Sequence, residues 1–260
     1  MRGSAAAVAV VVAGGAVALA GAAAYADSSA VAFRFADDRI IESSGLAVST
    51  LHDGVTYTHN DSGAQPIVYA VGPDGKTEAA LTLRGAPDRD WEAIAPGKDP
   101  QGHPAIWVGD IGDNITGWTD IRVMRFREPE TLKDGDVPFT TFRFKYADGK
   151  SRNAESLLCD PRTNRLYIVS KRTSGDAAVY RAPEKLKTTG FNLLKRVAAA
   201  PAEVTDAAFT KDGEHAVLRG YFYAKVVDRD WKIVGTMTPP LQMQGESVAA
   251  TSDGRAMLFG

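Results

Sequence analysis

The chain has 260 residues, 44% of them hydrophobic and 24% charged, with a formal net charge of −2 and a single cysteine. That balance excludes a disordered chain, which combines low hydrophobicity with high net charge, and it excludes the basic face of a general nucleic-acid binder. One cysteine can close no internal disulfide and build no multi-cysteine zinc site, so a sizeable hydrophobic core must hold the fold.

The first thirty residues differ from the rest. Arg2 is the only charge before Asp27, an apolar run extends from about Ala5 to Ala20, and Ala24-Tyr25-Ala26 is a small-x-small cleavage pattern. Residues 1–26 therefore read as a secretory signal peptide cleaved near Ala26, leaving a secreted domain over 27–260 with no membrane contact after cleavage. The competing reading is an uncleaved anchor, because a spanning helix needs about 20 apolar residues.

From Val31 onward the chain breaks into short runs rich in Val, Ile, Leu, Tyr and Phe, separated by Asp-Gly and Asn-Arg turns. Such spacing points to an all-β fold. After a leading strand at Val31–Phe35, five segments share one grammar: an acid, an apolar run, a turn and a second apolar run. They begin at Glu42, Glu92, Glu155, Asp206 and Glu246, at intervals of 50, 63, 51 and 40 residues. That is the period of a propeller blade. Further strands are expected at Ile67–Val71 and Ala79–Arg84, at Ile121–Phe126 and Phe139–Tyr146, at Ala178–Arg181 and Leu193–Ala198, and at Phe222–Val227 and Trp231–Met237. The fold class is thus an all-β propeller of about five blades, each of four antiparallel strands. The last blade is expected to be incomplete at the C-terminus. Its own segment supplies two strands, and Val31–Phe35 runs in the direction of an outermost strand, so a third strand is wanting between them.

In a propeller the inner strands begin on the face where the loops after the second strands also emerge. The five acids are therefore expected around one channel mouth, beside His59, Asn60 and Asp61, the run Asp110 to Asn114 with Asp113, and Lys171 and Arg219. His52, His103 and His215 fall in turns on the opposite face. Two carboxylates about 5 Å apart repel by roughly 3 kcal/mol at an effective dielectric near 20, so such a ring needs a cation, salt bridges, amide hydrogen bonds or raised pKa values. Oxygen ligands suit Ca²⁺ or Mg²⁺, and Ca²⁺ is the expected cofactor for an exported protein. The bland reading is that each acid accepts backbone N–H bonds and pins blade to blade. For Asn60, Asp61, Asp110, Asp113 and Asn114 it is turn chemistry, and for Lys171 and Arg219 it is neutralisation of nearby acids in place of an anionic ligand. Trp91 reads as blade packing and Cys159 as a small buried hydrophobe. No nucleophile elbow, zinc-protease motif or phosphate-binding glycine loop occurs.

Residues 42–47 (Glu-Ser-Ser-Gly-Leu-Ala), 60–63 (Asn-Asp-Ser-Gly), 89–95 (Arg-Asp-Trp-Glu-Ala-Ile-Ala) and 108–114 (Val-Gly-Asp-Ile-Gly-Asp-Asn) resemble exported bacterial propellers of the WD-repeat-like kind. They are more distantly similar to SdiA-regulated and phytase-like ("esterase-like") propellers. The phytase-like resemblance implies Ca²⁺ on an acidic face and phosphoester hydrolysis, although this chain lacks a dense cluster of basic phosphate ligands. The sequence thus supports an exported binding or scaffold module that engages a small molecule or protein at its acidic face. The alternative is a Ca²⁺-dependent hydrolase of phosphoesters or lactones.

Overall fold

The computed structural model describes residues 29–61, 63, 65–173, 175–242 and 244–260, together with the backbone of residues 8–13. The cleavage triplet at Ala24-Tyr25-Ala26 lies outside the described residues. Every element among the described residues is a strand. Two come first, β1 (Val8–Ala13) and β2 (Ser29–Arg34). Blade one holds β3 (Ser43–Val48), β4 (Thr56–Asn60), β5 (Ile67–Val71) and β6 (Thr77–Thr82). Blade two holds β7 (Trp91–Lys98), β8 (Pro104–Asp110) and β9 (Ile121–Arg127). After the two-residue β10 (Gly135–Asp136), β11 (Phe139–Tyr146) completes it. Blade three holds β12 (Ala154–Cys159), β13 (Leu166–Ser170), β14 (Ala178–Arg181) and β15 (Asn192–Ala199). Blade four holds β16 (Val204–Phe209), β17 (Ala216–Gly220), β18 (Ala224–Val227) and β19 (Ile233–Met237), and the chain ends with β20 (Val248–Ala250) and β21 (Ala256–Phe259).

Within each blade, neighbouring strands pair antiparallel. The inner strands β3, β7, β12, β16 and β20 touch in cyclic order, with β20 returning to β3. The fold is a five-bladed propeller. Its core is five apolar slabs, one at each joint, because both faces of every blade are covered. The middle strands therefore read as continuous apolar runs where a half-exposed strand would alternate. Successive residues serve opposite joints: on β8, Ile106 and Val108 pack towards blade one while Trp107 packs towards blade three. The outer strand β15, by contrast, alternates between buried Asn192 and Leu194 and exposed Leu193 and Lys195. Four of the first-to-second strand turns carry a glycine in the left-handed region, Gly54, Gly102, Gly213 and Gly254 at φ of +74°, +89°, +69° and +70°, where a side chain would be strained.

Polar side chains lock the joints on the turn face. Glu128 of blade two accepts from Ser49 Oγ, from Thr50 Oγ1 at 2.9 Å and from Thr50 N at 3.2 Å in blade one. Asn164 exchanges 2.9 Å bonds with the Lys98 backbone, and Arg229 reaches across to buried Asp160 at 2.7 Å. Two pairings escape sequence patterning. β10 runs parallel to the outer edge of β6, and β11 pairs parallel with β15, joining blades two and three at their rims.

Blade five has the order β2-β1-β21-β20. The blade is therefore four-stranded and not incomplete as the sequence predicts: the C-terminal segment supplies two strands, and the third strand expected to be wanting is β1. Val8–Ala13 is antiparallel to both β21 and β2. A Val-rich run satisfies two open ladder edges at once there, and it lies inside the segment read as a leader.

Candidate functional site

The channel mouth is set by a β-bulge repeated around the ring. Where the first two strands of blades one to four begin to pair, the register skips one inner-strand residue: Ser44, Glu92, Glu155 and Thr205. In blade five the amides of Glu246 and Ser247 both donate to Gly260 O, at 3.0 and 3.1 Å. A bulge releases one residue from the ladder and re-aims its side chain, so the bulge ring reads Ser44, Glu92, Glu155, Thr205, Glu246. The residues directly after β4, β8, β13 and β17 form a second ring: Asp61, Ile111, Lys171 and Tyr221.

The five sequence-matched acids are therefore not one set. Glu92, Glu155 and Glu246 share the bulge. Asp206 stands one residue further on and is fully buried. It accepts from Ala207 N and, across the joint, from Val248 N, both at 2.7 Å. Glu42 stands two residues before the bulge and is exposed. Aligning the repeats on their acids misses the bulge, which shifts the phase by one residue.

Three carboxylates converge at the mouth. One oxygen each from Asp61, Asp90 and Glu92 lies within 4.8 Å of the others. Asn114 Nδ2 donates to Asp90 Oδ2 at 2.9 Å, and Asn153 Nδ2 steadies Asn114 Oδ1 at 2.9 Å. Gly112 lies hard against this group, where a Cβ would collide with both Asp90 and Glu92. Burial, reinforced by Glu155, Asp61 and Asp90, pushes the Glu92 carboxyl up to about 10. Glu155 is raised by burial to about 7, with Lys171 pulling the other way. Lys171 Nζ donates to Glu155 Oε1 at 2.7 Å and to Tyr221 OH at 2.8 Å, tying blade three to blade four. Burial, with Asp61 and Glu42 nearby, raises Glu246 as well.

Other expected site residues are occupied by structure. Asn60 Oδ1 accepts from Ile41 N and Glu42 N at 3.0 and 3.2 Å, while its Nδ2 donates to Arg39 O at 2.8 Å. Asp110 accepts from the amides of Arg89 and Asp90, both at 2.9 Å, and from Arg89 Nε at 2.7 Å. Asp113 caps its own loop through Gly117 N and Trp118 N at 2.8 and 2.9 Å. Arg219 lies inside β17, two residues out of phase with Lys171. It is fully buried against blade five, donating to Ser247 O at 2.7 Å and Gln242 Oε1 at 2.5 Å and stacking over Phe259 at 5.2 Å. His59 is buried behind the mouth, edge-on to Trp91 at 5.8 Å. Asp90 belongs to the mouth but carries no repeat signal, whereas Tyr221 is marked only by its place in the second ring, its residue type differing from that of Asp61, Ile111 and Lys171. The opposite end of the channel opens as a largely apolar cavity of about 610 Å³ bordered by Leu46, Ile94, Leu157 and Ala249.

No family model matches the chain, and no curated protein matches it. Among solved structures, a gluconolactonase from Xanthomonas campestris is similar at a TM-score of 0.55 and 14% identity, over 89% of this chain and 74% of that one. At that identity the likeness is one of fold: a propeller.

Proposed function

We propose that this chain is a hydrolase of lactones or small esters acting at the carboxylate mouth, with a divalent cation, Ca²⁺ being the expected one, held by Asp61, Asp90 and Glu92. The observation that carries this reading is the convergence of those three oxygens within 4.8 Å against a glycine that leaves them room. The gluconolactonase of like fold supports the choice of reaction. Carboxylate oxygens are the donor set that hard cations take. When bound, the cation offsets the carboxylate repulsion and polarises the carbonyl oxygen of a substrate. Asn114 orients Asp90 through its amide, and Lys171 holds Glu155 in place. Glu155, raised to about 7, stands as the base that takes a proton from water. The water oxygen bonds to the carbonyl carbon, the acyl C–O bond breaks, and the departing alkoxide takes up a proton to give a hydroxy acid. Phosphoesters fit less well, because Arg219 is spent on the blade-five backbone and leaves Lys171 with one strong acidic partner already.

The test is paired. Millimolar Ca²⁺ is expected to raise the melting temperature of the wild type and to support hydrolysis of δ-valerolactone followed by pH-stat, with both effects lost in Asp90→Asn/Glu92→Gln. No melting response to Ca²⁺ or Mg²⁺ removes the cation. A melting response without turnover of any lactone or ester returns the chain to the binding-module reading.

A further inference from the structure

The four most exposed large hydrophobic side chains among the described residues are Leu241 at 91%, Ile115 at 84%, Phe222 at 80% and Ile41 at 69%; the next, Ile233, reaches 56%. They come from four different blades, yet each lies in a loop that enters a first strand (Ile41 before β3, Leu241 before β20) or leaves a second strand (Ile115 after β8, Phe222 after β17), so all four stand on the face of the mouth. Ile41 precedes Glu42, and its own amide bonds Asn60. Ile115 follows Asn114, which holds Asp90. Phe222 follows Tyr221, which holds Lys171. Leu241 precedes Gln242, which accepts from Arg219. Loops are ordinarily polar, and single exposed aliphatics need no explanation, but apolar groups gathered round one polar opening mark a binding surface. A sugar-type ligand would call instead for a rim of hydroxyl-binding donors and acceptors. A lactone or ester carbonyl is itself uncharged and needs no charged partner beyond the cation that these carboxylates would hold.

We infer that the substrates taken at this mouth are uncharged lactones or esters bearing an aliphatic chain, the carbonyl lying at the carboxylates and the chain lying across Ile41, Ile115, Phe222 and Leu241. The inference rests on the hydrolase reading for the fate of the ligand, and on the apolar rim for its class.

Two parallel measurements test it. In turnover, δ-decalactone, whose ring bears a pentyl chain, is compared with δ-valerolactone and δ-gluconolactone. In binding, the δ-lactams with and without the pentyl chain, which are not hydrolysed, are titrated by calorimetry in the presence of Ca²⁺. Each buried methylene is worth roughly a factor of four, so with the chain only partly covered the pentyl compounds are expected to show about 20-fold higher kcat/KM and affinity. Phe222→Ser/Leu241→Ser is expected to bring both ratios to within about threefold, with its melting temperature recorded to confirm folding. Pentyl-dependent lactam binding without turnover of any lactone refutes the hydrolase reading and upholds the ligand class. Turnover with no chain preference, or a preference for δ-gluconolactone, overturns the ligand class and leaves hydrolysis standing. Lactam affinity that ignores the chain, or no lactam binding at all, also overturns it and assigns the apolar rim to contact with another macromolecule.

Discussion

Asp206 and Glu92 open their repeats in the same way, yet one is a rivet between blades and the other a member of the carboxylate cluster at the mouth, bonded by side chain only to Ser44 Oγ at 3.5 Å among the hydrogen bonds of the described residues. The difference is a single residue of bulge. Asp206 spends both oxygens on amides of two blades, so Asp206→Ala leaves two buried donors without partners. A cost of roughly 3 kcal/mol is expected, a fall of roughly 6–12 °C in a chain of this size, with the melting response to Ca²⁺ retained. Glu92→Gln removes a carboxyl whose ionisation burial opposes, and is expected to melt at or above the wild type near pH 8 without added cation while losing the Ca²⁺ response. The pH dependence follows the same groups. Glu92 and Glu155 bind their protons more tightly folded than unfolded, so their contribution is complete below about pH 4.5. It is lost as pH rises through about 7 for Glu155 and about 10 for Glu92. Without added cation the protein is expected to melt several degrees higher near pH 5 than near pH 8, and a melting temperature that rises over that interval would contradict these assignments.

At the scale of elements, blade five is the point of tension. The N-terminal apolar run has the composition of a cleaved leader, and it also fills the third position of that blade between β21 and β2. Without it, two strand edges face each other across an unfilled ladder, and open edges recruit other chains. A protein beginning at Asp27 is expected to melt below the full chain and to associate more at equal concentration, read by scanning calorimetry and light scattering. Matching behaviour of the two would mean that β1 contributes nothing to closure. The mass of the protein recovered from cells and from medium, measured separately, decides whether cleavage near Ala26 and export take place. Other elements were legible because their local chemistry is sufficient: Phe139–Tyr146 and Ala178–Arg181 are marked by apolar runs between turn residues. β10 was not, because two residues, Gly-Asp, hold no pattern and pair only where blade one offers them an edge.

For the whole molecule, stability depends on closing a ring whose five apolar slabs each lie between two blades. The polar bridges of the turn face set the blade angles, and Glu128 is the most connected of them. Glu128→Ala is expected to cost about 2 kcal/mol, lowering the melting temperature by roughly 4–8 °C. It sits at the end of the channel away from Asp61, Asp90 and Glu92, so lactone turnover at 25 °C should be little altered. A large loss of turnover with unchanged melting would mean that the two ends of the channel are coupled.

The amino-acid sequence by itself determined the repeat, the strand content and the end of the channel where polar loops gather, because these follow from residue type, turn chemistry and period. It did not determine which acids face the opening. That depended on a one-residue register shift, on amides arriving from the next blade at Asp206, Asp110 and Asn60, and on loops from different blades meeting at Asp61, Asp90 and Glu92. Those are contacts between residues far apart in the chain, and only closure of the ring brings them into being.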